Sequence, residues 1–200
     1  MRFKYGMPSE VDCHLENKTK IVVDYSRVHV IGTVIAIFIV LPAIYIAWRS
    51  MWSNRDIFGV FDQPPEIFLP LTFSIVILHE FIHLIAHPQA GMSNESIVGM
   101  LPKRLVFYAA YQGEQSRRRL IITLMSPLVL LTIPPFLIAP WVTPSVVPFL
   151  AGLSILNGMA STGDMMLTYK VIREVPPDAI CHGEYFGFST TNDHNSSKPT

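Results

Sequence analysis

Charge is what this 200-residue chain has least of. Only 15% of its residues are Asp, Glu, Lys or Arg, 15 basic against 15 acidic, for no net charge. Such a balance supplies no field that would gather nucleic acid or another polyanion. Cysteine is scarce too: Cys13 and Cys181 lie in polar segments with no C-x-x-C or C-x-x-H spacing, so a thiolate metal site is excluded and both read as reduced bystanders. Nor is a cleavable leader expected. The first apolar run follows roughly 27 polar residues, is about 20 residues long and lacks a small-x-small site, so it reads as an anchor, with the mature chain beginning near Met1. No internal repeat is evident.

What remains is apolar. Half of the residues are hydrophobic and the mean hydropathy is positive, which favours a membrane protein over a soluble domain. A bilayer core takes about 20 apolar residues of helix, and four runs approach that length: 28–48, 67–87, 120–139 and 146–169. Prolines 127, 134 and 135 imply kinks in the third run, and glycines and serines in the fourth permit close packing or unwinding. Lys and Arg alternate between the flanks. Arg2, Lys4, Lys18, Lys20 and Arg27 precede the first run, the cluster Lys103, Arg104, Arg117, Arg118 and Arg119 lies between the second and third, and Lys170, Arg173 and Lys198 follow the fourth. The positive-inside rule then predicts a multi-pass protein of the cytoplasmic membrane, with both termini and the central loop in the cytoplasm.

The expected fold is an all-α polytopic membrane protein of about four transmembrane helices, with room for a small β-strand or hairpin at RLVFYAAY (104–111) in the central loop. Residues 1–27 form a cytoplasmic segment, 28–188 one membrane domain, and 189–200 a polar tail expected to be disordered.

The second run carries HEFIH, residues 79–83. Positions i and i+4 share a helix face, so His79 and His83 can point nitrogens at one ion while Glu80 stands beside it. This is the H-E-x-x-H pattern of zinc peptidases. Two imidazoles and one further ligand leave a position for water; the metal lowers its pKa and the glutamate takes its proton. The plainer alternative is a set of hydrogen bonds between helices. Each ionisable group near the bilayer centre costs about 2.5 to 3.5 kcal/mol, however, and three in one span call for a compensating cation.

Asp164 in the fourth run is the only carboxylate between Glu114 and Glu174 and is the favoured third ligand, with Gly163 beside it allowing a close approach. At 1.5 Å per residue, His79, His83 and Asp164 lie about 18, 24 and 27 Å from the outer starts of their spans, all in the cytoplasmic half. His87 continues the i, i+4, i+8 line as a rival ligand, though it precedes Pro88, which biases it away from helix. Asn157 shares a face with Asp164. Its amide is a candidate for substrate binding or for a packing hydrogen bond.

With HEFIH in one span and NGMASTGD (157–164) in a later one, the chain resembles the site-2-protease type of intramembrane zinc metalloprotease. More closely, it resembles the small membrane proteins grouped as DUF3267, regarded as zincin peptidases. The resemblance covers about residues 67–188, including a proline in the third span and the Gly163-Asp164 pair. In better-known site-2 proteases the aspartate is usually followed by glycine in a longer proline-containing motif; here the glycine precedes it, and no PDZ-like module is present. The resemblance implies one zinc per chain on His79, His83 and Asp164, with Glu80 as general base, acting on a membrane-protein or membrane-peptide substrate. Two other classes compete: a catalytically silent metal-binding scaffold or escort, which would tolerate Glu80→Gln, and a metal-ion carrier, which would need polar residues along the other spans.

Overall fold

The computed structural model describes residues 1–6, 13–101 and 106–188. The expected tail at 189–200, and residues 104 and 105 of the expected strand, lie outside the described residues.

The first span is continuous from α1 (Tyr25–Ile35) through a π-helical segment (Ala36–Val40) into α2 (Leu41–Met51). Asp24 starts it by accepting the Arg27 N–H, satisfying a donor that a helix N-terminus leaves open. Helix α3 (Pro65–Ala86) follows, then α4 (Arg117–Ile138), α5 (Val147–Ala160) and α6 (Thr162–Glu174). Among the described residues, three helical stretches are long and apolar enough to cross a membrane: Tyr25–Met51, Pro65–Ala86 and Arg117–Trp141. A fourth is added if Pro144–Ala160 and Thr162–Glu174, bent by 44° at Ser161, form one span. Apolar side chains such as Phe38, Leu69, Phe73, Phe81, Leu130 and Leu137 point outward, as they would into lipid.

The chain is not all-α. Two sheets accompany the helices. One has the order β1-β3-β4, from β1 (Arg2–Tyr5), β3 (Ser96–Leu101) and β4 (Val106–Tyr111). The other has the order β2-β7-β6-β5, from β2 (Glu16–Lys20), β5 (Glu114–Ser116), β6 (Ile180–His182) and β7 (Tyr185–Phe188). The expected central strand exists as β4, but among the described residues it is one strand of seven. The others escape a sequence reading because they are three to six residues long, too short for alternation to show, and β2 (ENKTK) is exposed along its whole length.

These pairings fix the topology. Strands come from three segments: before the first span, between α3 and α4, and after α6. Since β1 pairs with β3, β2 with β7, and β5 with β6, all three segments lie at one end of the helical bundle. A core of Ile21, Leu124, Val171, Val175, Ala179 and Cys181 welds the four-stranded sheet to the ends of α4 and α6. A second core, built from Trp48, Ile57, Ala139, Val147 and Ala151, joins the remaining ends of α2, α4 and α5. Both cysteines are free and buried.

Candidate metal centre

Helix α3 opens at Pro65, where a proline's missing N–H costs nothing, and stops at His87, which turns extended (φ −60°, ψ 158°) ahead of Pro88. Its last carbonyls do not face lipid unpaired. Arg119 donates from Nε to the Ala86 carbonyl (2.9 Å) and from Nη2 to the His87 carbonyl (3.0 Å), and Thr123 Oγ1 also donates to Ala86 (3.2 Å). The first turn of α4 therefore caps α3 and holds the two helices in register.

That register brings His79 and His83 together with Asp164, in the first turn of α6. His79 Nε2 lies 3.1 Å and His83 Nε2 3.3 Å from Asp164 Oδ2, and the two Nε2 atoms are 3.2 Å apart. Among the described residues, these three form the one His/Cys/Asp/Glu group suited to a metal ion. Both histidines are buried.

The remaining ring nitrogens settle what the triangle can hold. His83 Nδ1 lies 2.8 Å from the Thr123 carbonyl, an acceptor only, so Nδ1 carries the proton. His79 Nδ1 meets Asn157 Oδ1 at 2.9 Å. Asn157 is oriented by its amide nitrogen, which donates to the Pro127 carbonyl (2.9 Å) and to Thr132 Oγ1 (3.0 Å). Its oxygen is thereby turned to His79, whose Nδ1 is also the protonated nitrogen. In the neutral imidazoles both Nε2 atoms then bring lone pairs to a carboxylate oxygen. Three acceptors facing one point call for positive charge between them, which a metal ion supplies without protonating the rings. The spacing suits zinc, since tetrahedral bonds of about 2.0 to 2.1 Å set ligand atoms about 3.3 to 3.4 Å apart. The residues present fit the metal.

Glu80 points aside. Its Oε2 accepts the Ala109 N–H of β4 at 2.8 Å, next to the triangle but outside it. This bond shows that Ala109 turns its backbone away from β3, and Phe107 and Tyr111, two residues either side, share that orientation along the strand's free edge. His87, the rival ligand, does not join. It is buried beyond the helix end against the Tyr111 ring, centroids 5.5 Å apart, with Nδ1 unpartnered. Burial, with His83 and Arg119 nearby, lowers its pKa from 6.5 to about 4.

Asn157 is fully buried behind His79, its amide and carbonyl both engaged by protein. A side chain carbon built at Gly163 would meet no protein atom within 4 Å, so no described backbone makes a close approach there. Sequence reasoning missed Thr123 and Arg119. Thr123 acts at His83 through its backbone carbonyl, for which a sequence has no letter; Arg119 had been counted only as one of a basic cluster.

A family model, DUF3267, described as "Putative zincin peptidase", matches residues 72–180, a stretch that contains every residue of the triangle together with Glu80 and Asn157. No curated protein and no solved structure matches the chain.

Proposed function

The chain belongs to the DUF3267 family of zincin peptidases, and from that membership we propose that it is an intramembrane metalloprotease, hydrolysing peptide bonds of membrane proteins or membrane peptides. The observation that carries this reading is the triangle of two Nε2 atoms and one carboxylate oxygen, its histidines on a helix long enough to cross a bilayer and its aspartate in the bent α5–α6 stretch. A bound zinc ion would act there as a Lewis acid, lowering the pKa of water and polarising the scissile carbonyl.

The chain's own residues supply the rest. Glu80 takes the proton of the attacking water and returns it to the leaving amine, with the Ala109 N–H holding its carboxylate beside the triangle. A helical substrate exposes no free amide, so it must unwind before attack. The free edge of β4 suits an unwound segment: the backbone groups of Phe107 and Tyr111 flank the Glu80 contact and can accept a substrate strand by β-addition. Asn157 acts on His79 and not on substrate. The charge bias supports placing the shared strand end, with both termini, in the cytoplasm.

The test is metal content and cleavage on the detergent-purified chain, with labelled casein and single-span peptides as probes. Glu80→Gln is expected to keep its zinc and lose cleavage by about 10²-fold or more. Wild type without metal, or a Glu80→Gln variant as active as wild type, would reject the proposal; the latter would leave a metal-binding scaffold.

A further inference from the structure

Both histidine tautomers trace back to α4, and that of His83 to Pro127. In a helix the carbonyl of residue i accepts the N–H of residue i+4. Proline has no N–H, so the Thr123 carbonyl is released from the helical ladder, and the ring crowds it off the helix axis. That is the carbonyl that accepts His83 Nδ1–H. A carbonyl oxygen has two lone pairs. Here the second is taken by the Ser126 hydroxyl at 2.8 Å, so a backbone N–H at position 127 would be a third donor competing for a filled acceptor.

The next carbonyl along the same face belongs to Pro127 itself. It receives the Asn157 amide, which turns the Asn157 oxygen onto His79 Nδ1. Pro127 is fully buried at this point of α4; its missing N–H acts on the His83 partner, while its own carbonyl, which any residue would supply, serves Asn157. Nothing in the helical propensity of LMSPLVL calls for a proline in the middle of a 22-residue helix, where it costs about 3 kcal/mol relative to alanine.

We propose that Pro127 is a positioning residue of the metal centre: by withholding an N–H it dedicates the Thr123 carbonyl to His83 and fixes that ring with Nε2 toward the metal. This rests on the metallopeptidase reading above. A merely structural proline would act through its kink; this one acts through the absence of a donor, and the two are separable.

The experiment measures zinc affinity of the full chain in detergent by competition with a chromophoric chelator. Pro127→Ala restores the N–H and is expected to weaken binding about 10- to 100-fold, as loss of an outer partner of a metal-ligating histidine does. Lactic acid at position 127, introduced by nonsense suppression, keeps the alanine side chain but puts an ester oxygen in place of the N–H; its affinity should return to within about threefold of wild type. Pro134→Ala, about 10 Å further along the helix, should leave affinity unchanged. Nitrogen-15 NMR of the zinc-loaded wild type should find both Nδ1 atoms protonated. Pro127→Ala with wild-type affinity, an ester variant as weak as Pro127→Ala, or His83 bound through Nδ1 would each overturn the proposal while leaving the peptidase reading intact. Wild type that binds no zinc would overturn both.

Discussion

At the scale of single residues, the ligands were the legible part of the site. His79, Glu80 and His83 announce themselves because three ionisable groups in one apolar span need a reason, and Asp164 because no other carboxylate lies near it in sequence. Asn157 was found by its helical face, but its direction was not: whether an amide faces substrate or a histidine depends on the carbonyls around it. Replacing Asn157 with leucine should therefore lower zinc affinity about 10- to 100-fold, whereas aspartate, which keeps an acceptor for His79, should lose less; chelator competition measures both. His87 gives a separate expectation. Its pKa is about 4 in the fold and about 6.5 in an unfolded chain, so between those values the unfolded state holds more proton and stability rises with pH. Acidification from pH 7 to pH 4 should cost on the order of 3 kcal/mol through this residue. Melting temperatures in detergent across that range should fall less steeply for His87→Leu than for wild type.

At the scale of elements, apolar runs gave the spans, while the strands stayed hidden. A helix buries its face over many turns and prints a long signature. Strand β5, three residues long, owes its existence to pairing with β6 across more than sixty residues of chain, which no local pattern records. The α3–α4 junction was equally invisible, since a positive-inside argument counts Arg119 without asking what it touches. Its two hydrogen bonds to the end of α3 predict that Arg119→Leu destabilises the protein by about 1.5 to 3 kcal/mol, the range for bonds from a charged group. Lysine should recover only part of this, having no planar fork to span two carbonyls. Thermal unfolding of the two variants in one detergent decides it. At the other end of the bundle, Gly152 packs against Val60 so closely that a Cβ would lie 2.4 Å from its Cγ1. Gly152→Ala should cost about 1 to 3 kcal/mol by overpacking, read from the same melts.

At the scale of the whole molecule, sheet pairing carries information that hydropathy lacks. If the apolar helices cross a bilayer, three segments locked together at one end require an even number of crossings between each pair, which is met when the bent α5–α6 stretch counts as one span. Core packing also hides both thiols: Cys13 and Cys181 are buried, and burial pushes the Cys181 thiol up to about 11. A maleimide at pH 7 should label the folded chain slowly and the denatured chain at two sites, as mass spectrometry would count. The bend at Ser161 also has a mechanical meaning. Upstream of it, Ser154 and Asn157 fasten α5 to α4. Downstream, α6 carries Asp164 and then leads into β6 and β7. An ion shared by Asp164 and the two histidines of α3 is thus a rivet through a joint, pinning the arm beyond the bend to the neighbouring span. Stripping it with a chelator should quicken hydrogen exchange in α6, β6 and β7 while leaving α5 unchanged, so that the ion used as a reagent is also the pin that keeps the last third of the site from swinging away.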